Sequence, residues 1–432
     1  MTNLWIDLTD MMVWKGNFTG IQRVTYEYAQ RFNKDGVKFC AYDAVDDRFI
    51  EINLDLIDRI ISNDENDAAE LVTFRKKMRL LLGKPYYALP DRYKKSLSPL
   101  VGRANHTVRY IMSKTIAKSR HITSPYAHFP EALFLETDKV FIIGAGWNEQ
   151  RALQKLVMIK TERDIQIIQH INDILPIYQP QLFAEELPLV FAPYIDLAIR
   201  NSSMITVISE ATRRDIKIYC KEHSITLPQI EVIRLGDDPK LTTSKKPEAI
   251  KSGEKFVLAL GTFEVRKNYV LLYQALKLAQ IEQRDLPKIV IAGRRGWLSS
   301  DIIYTMSHDP YTRERLVWLD DASDDEVAWL FNNCMFTVFP SIAEGWGLPV
   351  AESLGNGKLC LVSGVSSMLE IGEGLVDYFL PYDARECMEK MQYYIAEDRY
   401  IVANEKVKNN YKIFTWDESY KKLVDAINKI TT

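Results

Sequence analysis

Two glutamates, Glu344 and Glu352, stand with seven residues between them in the segment VFPSIAEGWGLPVAESLGNG, Val338–Gly357. A Gly-Trp-Gly-Leu-Pro turn separates them, and Gly347 and Leu348 in that turn could bring backbone close to a ligand. The run MFTVFPS reads as a short buried strand, and Pro349 stands where a helix would begin, since proline suits the first helical position. Glu344 is therefore expected in a strand-to-helix loop and Glu352 in the first turn of the helix. A helix N-terminus offers unpaired N–H groups and partial positive charge, which favour a phosphate. Glu344 would meet a group beyond that phosphate, and Glu352 a polar neighbour such as ribose hydroxyls. The competing reading is an ordinary βα turn with two solvated acids.

Other residues carry chemistry of a matching kind. Arg266 and Lys267 are adjacent cations in GTFEVRKN, after the apolar run FVLALG; alone, such a pair is surface charge. Gly16 and Gly20 flank a loop ahead of the helical pattern IQRVTYEYAQRF, with Arg23 in its first turn, facing either a phosphate, an acceptor or a salt-bridge partner. In QHINDILPI, His170 and Asn172 lie two apart and so share one face of a strand, with Asp173 turned away from both. His170 reads equally as a core histidine. Cations and N–H donors together suit a phosphate group.

The elements that must position these residues are short apolar runs alternating with amphipathic stretches. NLWIDL, VKFCAYDAV, DKVFIIGAGW, DIQIIQHIND, SMITVISE and IEVIRLG form a first series; KFVLALG, KIVIAG, RLVWLD, FTVFPS and LCLVSG form a second. This alternation indicates βα units and parallel sheets. The polar stretch 237–254 reads as an interdomain linker. The expected organisation is a domain over 1–236 with a basic insertion at about 51–138, a second domain over 255–415, and a terminal helix over 416–432 that returns to the first. The fold class is α/β, two doubly wound Rossmann-like domains facing across a cleft.

The ordered motifs resemble retaining glycosyltransferases of GT-B fold, family 4. The paired glutamates match that family's signature. TGIQRV (Thr19–Val24) is similar to its glycine loop, INDILPI (Ile171–Ile177) to its HDLIPL-type segment, VISEATRRDI (Val207–Ile216) to its SEATRRDL-type segment, and GTFEVRKN (Gly261–Asn268) to its diphosphate loop. The resemblance implies that Lys267 binds phosphate with Arg266 beside it, that Glu344 lies near the donor sugar, and that Glu352 binds ribose. It places Gly16 and Gly20 near the diphosphate and Gly293, Arg294 and Trp318–Glu326 around the base. Many members have arginine where this chain has Thr262, and histidine where it has Asn172; Asp173 is then the better-aligned acid. The resemblance implies a hexosyl transfer from a nucleotide sugar, GDP-mannose first, to a lipid-linked or polysaccharide glycan such as O-antigen or capsule. It implies no metal or other cofactor, because cations and helix ends serve the phosphate. The alternatives are a sugar-nucleotide epimerase on the same fold, against which the acceptor-type motifs count, and a silent sugar-binding scaffold, which Asn172 favours and Lys267, Glu344 and Glu352 disfavour.

Bulk properties agree. A chain of 432 residues, 47% hydrophobic and 26% charged, fits two globular domains. Its five cysteines (Cys40, Cys220, Cys334, Cys360, Cys387) are scattered, as are the six histidines, so neither disulfides nor a metal cluster is expected. No leader pattern is visible and no run reaches the about 18 apolar residues of a spanning helix. The expected location is cytoplasmic, peripheral on the inner membrane. From Arg75 to Arg120, thirteen lysines and arginines face the single acid Asp91, a net +12; 42 basic and 57 acidic residues leave −15 on the remainder. With interleaved apolar and aromatic residues, 75–120 suits an anionic membrane surface; a solvated insertion is the alternative, and no nucleic-acid motif accompanies the charge.

Overall fold

The computed structural model describes residues 3–14, 20–62, 124–239, 243–372 and 374–430. The basic segment 75–120, Gly16 and most of the expected insertion lie outside the described residues. Among these, no helix is long and apolar enough to cross a membrane.

The first half runs β1 (Leu4–Asp7), α1 (Gly20–Lys34), β2 (Lys38–Asp43), β3 (Arg48–Ile52), α2 (Leu54–Ser62), β4 (Lys139–Ile142), α3 (Gln150–Arg163), β5 (Gln166–Ile171), α4 (Leu175–Tyr178), α5 (Glu186–Asn201), β6 (Met204–Val207), α6 (Glu210–Glu222) and β7 (Gln229–Val232). Its strands form one sheet in the order β3-β2-β1-β4-β5-β6-β7. The second half runs β8 (Phe256–Leu260), α7 (Tyr269–Ile281), β9 (Lys288–Ala292), α8 (Ser300–His308), β10 (Leu316–Leu319), α9 (Asp324–Asn333), β11 (Thr337–Phe339), α10 (Leu348–Gly355), β12 (Cys360–Ser363), β13 (Val376–Phe379), α11 (Ala384–Ile395), α12 (Arg399–Asn410) and α13 (Trp416–Asn428). Its strands form a second sheet in the order β10-β9-β8-β11-β12-β13, all parallel.

The expected βα alternation is thus observed, with one departure. β3 pairs antiparallel to β2 at the sheet edge, turning through Asp47 at φ 56°, a left-handed conformation that aspartate tolerates. The other paired strands of the first sheet, β1, β2, β4 and β5, are parallel.

Parallel strands covered on both faces need apolar residues on both. In β8, Val257 and Ala259 enter one buried cluster with Leu272 and Phe336, while Phe256 and Leu258 enter another with Leu330 and Phe331. β9 divides likewise, Ile289 and Ile291 against Val290 and Ala292. Helix starts are set by capping. Ser209 accepts from the Thr212 N–H, and Ser323–Glu326 and Thr415–Glu418 form capping boxes.

Cα proximity divides the chain into two compact units, Met1–His170 with Pro193–Ile205, and Ile171–Ala192 with Thr206–Thr431. The polar stretch 237–254 lies wholly in the second. Two of its residues are anchored: Asp237 is fully buried, and Ile250 is part of the core beside Phe256 and Leu258.

Candidate active site

β8 lies between β9 and β11, so the chain departs from β8 to one side and later returns on the other. Ligands of open α/β sheets sit at the carboxyl ends of strands at such a switch point. The loops after β8 and β11 carry Arg266, Lys267 and Glu344, and the structure brings all three together.

The β8 loop turns at Gly261, φ 132°, and is held against the β9 loop. A Cβ on Gly293 would stand 2.1 Å from the Gly261 carbonyl oxygen, so only glycine permits this approach. Phe263 N–H donates to the Arg294 carbonyl at 2.7 Å, and Gly296 N–H to the Phe263 carbonyl at 2.9 Å. Val265–Lys267 form a short 3-10 turn that ends at Asn268, φ 57°. The Asn268 amide donates to the carbonyls of Pro340 (3.0 Å) and Pro381 (2.7 Å), which pins the cation loop to the strand end before Glu344.

Lys267 Nζ lies 2.6 Å from Glu344 Oε1, which also accepts from Ser341 Oγ at 2.7 Å. Arg266 pairs with Glu344 Oε2, donates to the Ala343 carbonyl at 2.9 Å, and bonds Glu264 Oε1 at 2.7 Å. Ser366 and Ser367 donate to the Glu344 carbonyl at 2.9 and 2.8 Å. Burial alone would raise the Glu344 carboxyl, but Arg266, Lys267 and the hydrogen bonds outweigh it and hold the group at about 2. Glu264 goes the other way: burial raises it against the pull of the same cations. Asp173 is also raised by burial, opposed by Arg266 and by the Leu175 N–H on Oδ1 at 3.1 Å. Two cations thus face three carboxyls, and Glu344 is the one whose value they bring below its ordinary range.

Asp173 belongs to this group by position as well. A Cβ on Gly345 would come 2.8 Å from Asp173 Oδ2 and 2.9 Å from the Asn172 carbonyl, so the glycine after Glu344 lets the two chains touch. The Asn172 carbonyl accepts from Thr212 Oγ1 at 3.0 Å.

Around the second glutamate the structure corrects the expectation. α10 starts at Leu348, with Pro349 second and Gly347 as its cap at φ 112°. Glu352 is therefore the fifth helical residue, half-buried on the second turn and not in the first. Proline occupies either of the first two positions without losing a bond, so the helix extends one residue further back than proline alone indicates.

The remaining expected residues are placed as follows. Gly20 opens α1 exposed, and Arg23 is half-buried in that helix's first turn. His170 is buried in β5 between the rings of Tyr28 and Phe141, 6.4 and 6.3 Å away, in the first compact unit. Arg294 is half-buried on the β9 loop. Sequence reading missed Ser341, Ser366, Ser367, Glu264 and Asn268, which all support the Glu344 loop. The only signal for Asn268 is that asparagine tolerates positive φ at the end of a short turn.

Residues 241–430 match the family model described as "Glycosyl transferases group 1". The serotype-specific mannosyltransferase WbdA of Escherichia coli is 23% identical over 237 residues, which are 51% of this chain and 29% of WbdA. The O-antigen chain mannosyltransferase RfbU of Salmonella typhimurium is 22% identical over 254 residues, 57% of this chain and 68% of RfbU. The chain therefore spans less than a third of WbdA's length. Among solved structures, Anabaena Alr3699/HepE in complex with UDP and glucose aligns over 100% of both chains with a TM-score of 0.58 and 14% identity. At that identity the likeness shows the fold, GT-B.

Proposed function

The chain carries a group 1 glycosyl transferase domain over residues 241–430, and from that premise we propose that it moves a hexose, mannose first, from a nucleoside-diphosphate sugar to a glycan. The observation that carries this reading is the meeting of Arg266, Lys267 and Glu344 at the switch point of the second sheet. Arg266 and Lys267 bind the diphosphate and take up the charge that grows on it as the sugar leaves. Glu344, ionised throughout the physiological range, stabilises the positive charge on the sugar ring and accepts from its hydroxyls. Glu352 binds the ribose. Asp173, next to Gly345, bonds a hydroxyl at the reacting sugars.

Transfer retains the anomeric configuration in this reading. The acceptor hydroxyl attacks the face the phosphate leaves, the C–O bond to phosphate breaks as the new C–O bond forms, and the departing phosphate oxygen takes the hydroxyl proton. No metal has a part in these steps. Mannose is favoured by the relatives named mannosyltransferases, and a nucleoside diphosphate by the HepE complex with UDP. The glycan is lipid-linked or a growing polysaccharide, at the cytoplasmic face of a membrane.

A donor screen tests this: release of nucleoside diphosphate from GDP-mannose, UDP-glucose and related donors, with and without a glycan acceptor and with and without EDTA. The reading expects acceptor-dependent release with one donor, unchanged by EDTA, and a product of retained configuration by NMR. Absence of release with every donor and acceptor would refute it.

A further inference from the structure

The segment VISEATRRDI has no part in the donor site described above, yet the structure ties it to Glu344. Its helix, α6, starts after Ser209, whose side chain accepts from the Thr212 N–H at 3.0 Å. The first two N–H groups of the helix, on Glu210 and Ala211, donate to the two carboxylate oxygens of Glu370 at 2.8 and 2.7 Å. Such N–H groups have no partner within their own helix, and the positive end of the helix dipole favours an acid there. Glu370 therefore makes a two-pronged, charge-assisted contact and fills the place where an anion would otherwise bind.

Glu370 ends a short 3-10 turn, Ser366–Glu370, and the start of that turn holds Glu344. The Ser366 hydroxyl donates to the Glu344 carbonyl, and the Ser367 hydroxyl lies between the carbonyls of Glu344 and Trp346, 2.8 and 2.9 Å away. Ser366 itself is left-handed at φ 50°, a conformation that costs a serine energy and persists where its surroundings fix it. From α6 a second line runs back to the same loop. The Ser209 hydroxyl donates to Thr212 Oγ1 at 3.0 Å, and the Thr212 hydroxyl donates to the Asn172 carbonyl at 3.0 Å. The next residue, Asp173, lies against Gly345, where an added Cβ would stand 2.8 Å from Oδ2. The links close a ring from Glu344 through Ser367, Glu370, Thr212 and Asp173 to Gly345, all within one compact unit.

We propose that Glu370 is a positioning residue for sugar transfer: by gripping α6 it sets Asp173 against the Glu344 loop, so that the two acids meet the reacting sugar at one spacing. This rests on the glycosyl-transfer reading above. Glu370 acts through Thr212 on one side of the ring and through Ser367 on the other. A cap that merely stabilised α6 would leave the placement of Asp173 to other contacts. Here the same carboxylate binds the helix and belongs to the turn that carries Ser367, so loosening it frees both sides together. Glutamine in its place keeps an acceptor oxygen for one N–H and turns an NH2 toward the other, which breaks half of the grip.

The test compares the full chain with Glu370→Ala, Glu370→Gln, Thr212→Val and the double variant Glu370→Ala/Thr212→Val. Steady-state transfer from the donors screened above, titrations of GDP and UDP, melting curves and amide hydrogen exchange are read for each. The expected result is a kcat lowered about tenfold or more in Glu370→Ala and in Thr212→Val, with nucleotide affinity changed by less than about twofold. The double variant should lose little more than either single one, because both cut the same ring. Exchange should quicken in residues 171–176 and 344–348 of both single variants, and Glu370→Gln should fall between wild type and Glu370→Ala. Full kcat in folded Glu370→Ala, losses that add in the double variant, or nucleotide affinity falling in step with kcat would each overturn the proposal. Should Glu370→Ala fail to fold, the isosteric Glu370→Gln decides: lowered kcat with intact nucleotide affinity supports the proposal, and full kcat overturns it. Absence of turnover in wild type with every donor refutes the glycosyl-transfer reading instead. Exchange then decides alone, and unchanged rates in the two segments sink the coupling.

Discussion

Glu344 is a buried acid that does not behave as one. With its ordinary value near 4.5 brought down to about 2, its ion pairs lend stability that is fully present above pH 4.5 and is lost as pH falls toward 2. It is thus a fixed negative charge in the working range, suited to steadying a developing cation and unsuited to donating a proton. Glu344→Gln keeps the shape and removes the charge, and kcat should fall about 100-fold or more with the donor KM changing little. Steady-state kinetics over pH 5–9 checks this, and the wild-type profile should show no limb from Glu344 in that range. Asp7 is the opposite case. Burial, aided by Asp10 and opposed by bonds from the Thr9 N–H and hydroxyl, raises it from 3.8 to about 6. Ionising it therefore costs stability as pH rises through that interval, about 3 kcal/mol once complete. Asp7→Asn, always neutral, should melt higher than wild type at pH 8 and lose that advantage near pH 4 by scanning calorimetry.

At the scale of elements, the site depends on loops tied together by residues that sequence spacing does not reveal. The βα alternation and the loops bearing Lys267 and Glu344 are legible because they rest on local periodicity and glycine punctuation. The Ser367 hydroxyl on the Glu344 carbonyl joins residues 23 apart, and the Asn268 amide reaches carbonyls 72 and 113 residues away. Such partners exist only once the strands are side by side. The same limit hid the antiparallel β3. Glu352 stands one residue deeper in its helix than expected, because proline marks a helix start only to within a residue. Asn268→Ala should cost about 2–4 kcal/mol, since it leaves two buried carbonyls unpaired and forces a left-handed φ on alanine. Denaturant unfolding measures the loss; Asn268→Gly should recover only the backbone share.

At the scale of the molecule, one buried acid ties the end of the chain to its middle. Asp237 opens a stretch whose polarity reads as a linker, yet it is fully buried. It accepts from Arg234 at 2.6 Å, from the Phe414 N–H at 2.7 Å and from Tyr411, while Asp238 takes the Trp416 N–H at 2.7 Å. Residue polarity indicates a linker only where no partner returns from far along the chain, and here residues 411–416 do. Asp237→Ala should destabilise the protein by about 3–5 kcal/mol, against about 1 kcal/mol for Tyr411→Phe, both read from chemical denaturation. Above this framework, the switch point of the second sheet brings the cations and Glu344 together. The whole account turns on that point gripping a diphosphate. The most direct measurement is calorimetric titration of GDP and UDP into wild type and Lys267→Ala. One nucleotide should bind wild type and bind the variant about tenfold or more weakly, a loss of roughly 1.4 kcal/mol; equal affinity in the two proteins, or no binding to wild type, would contradict it.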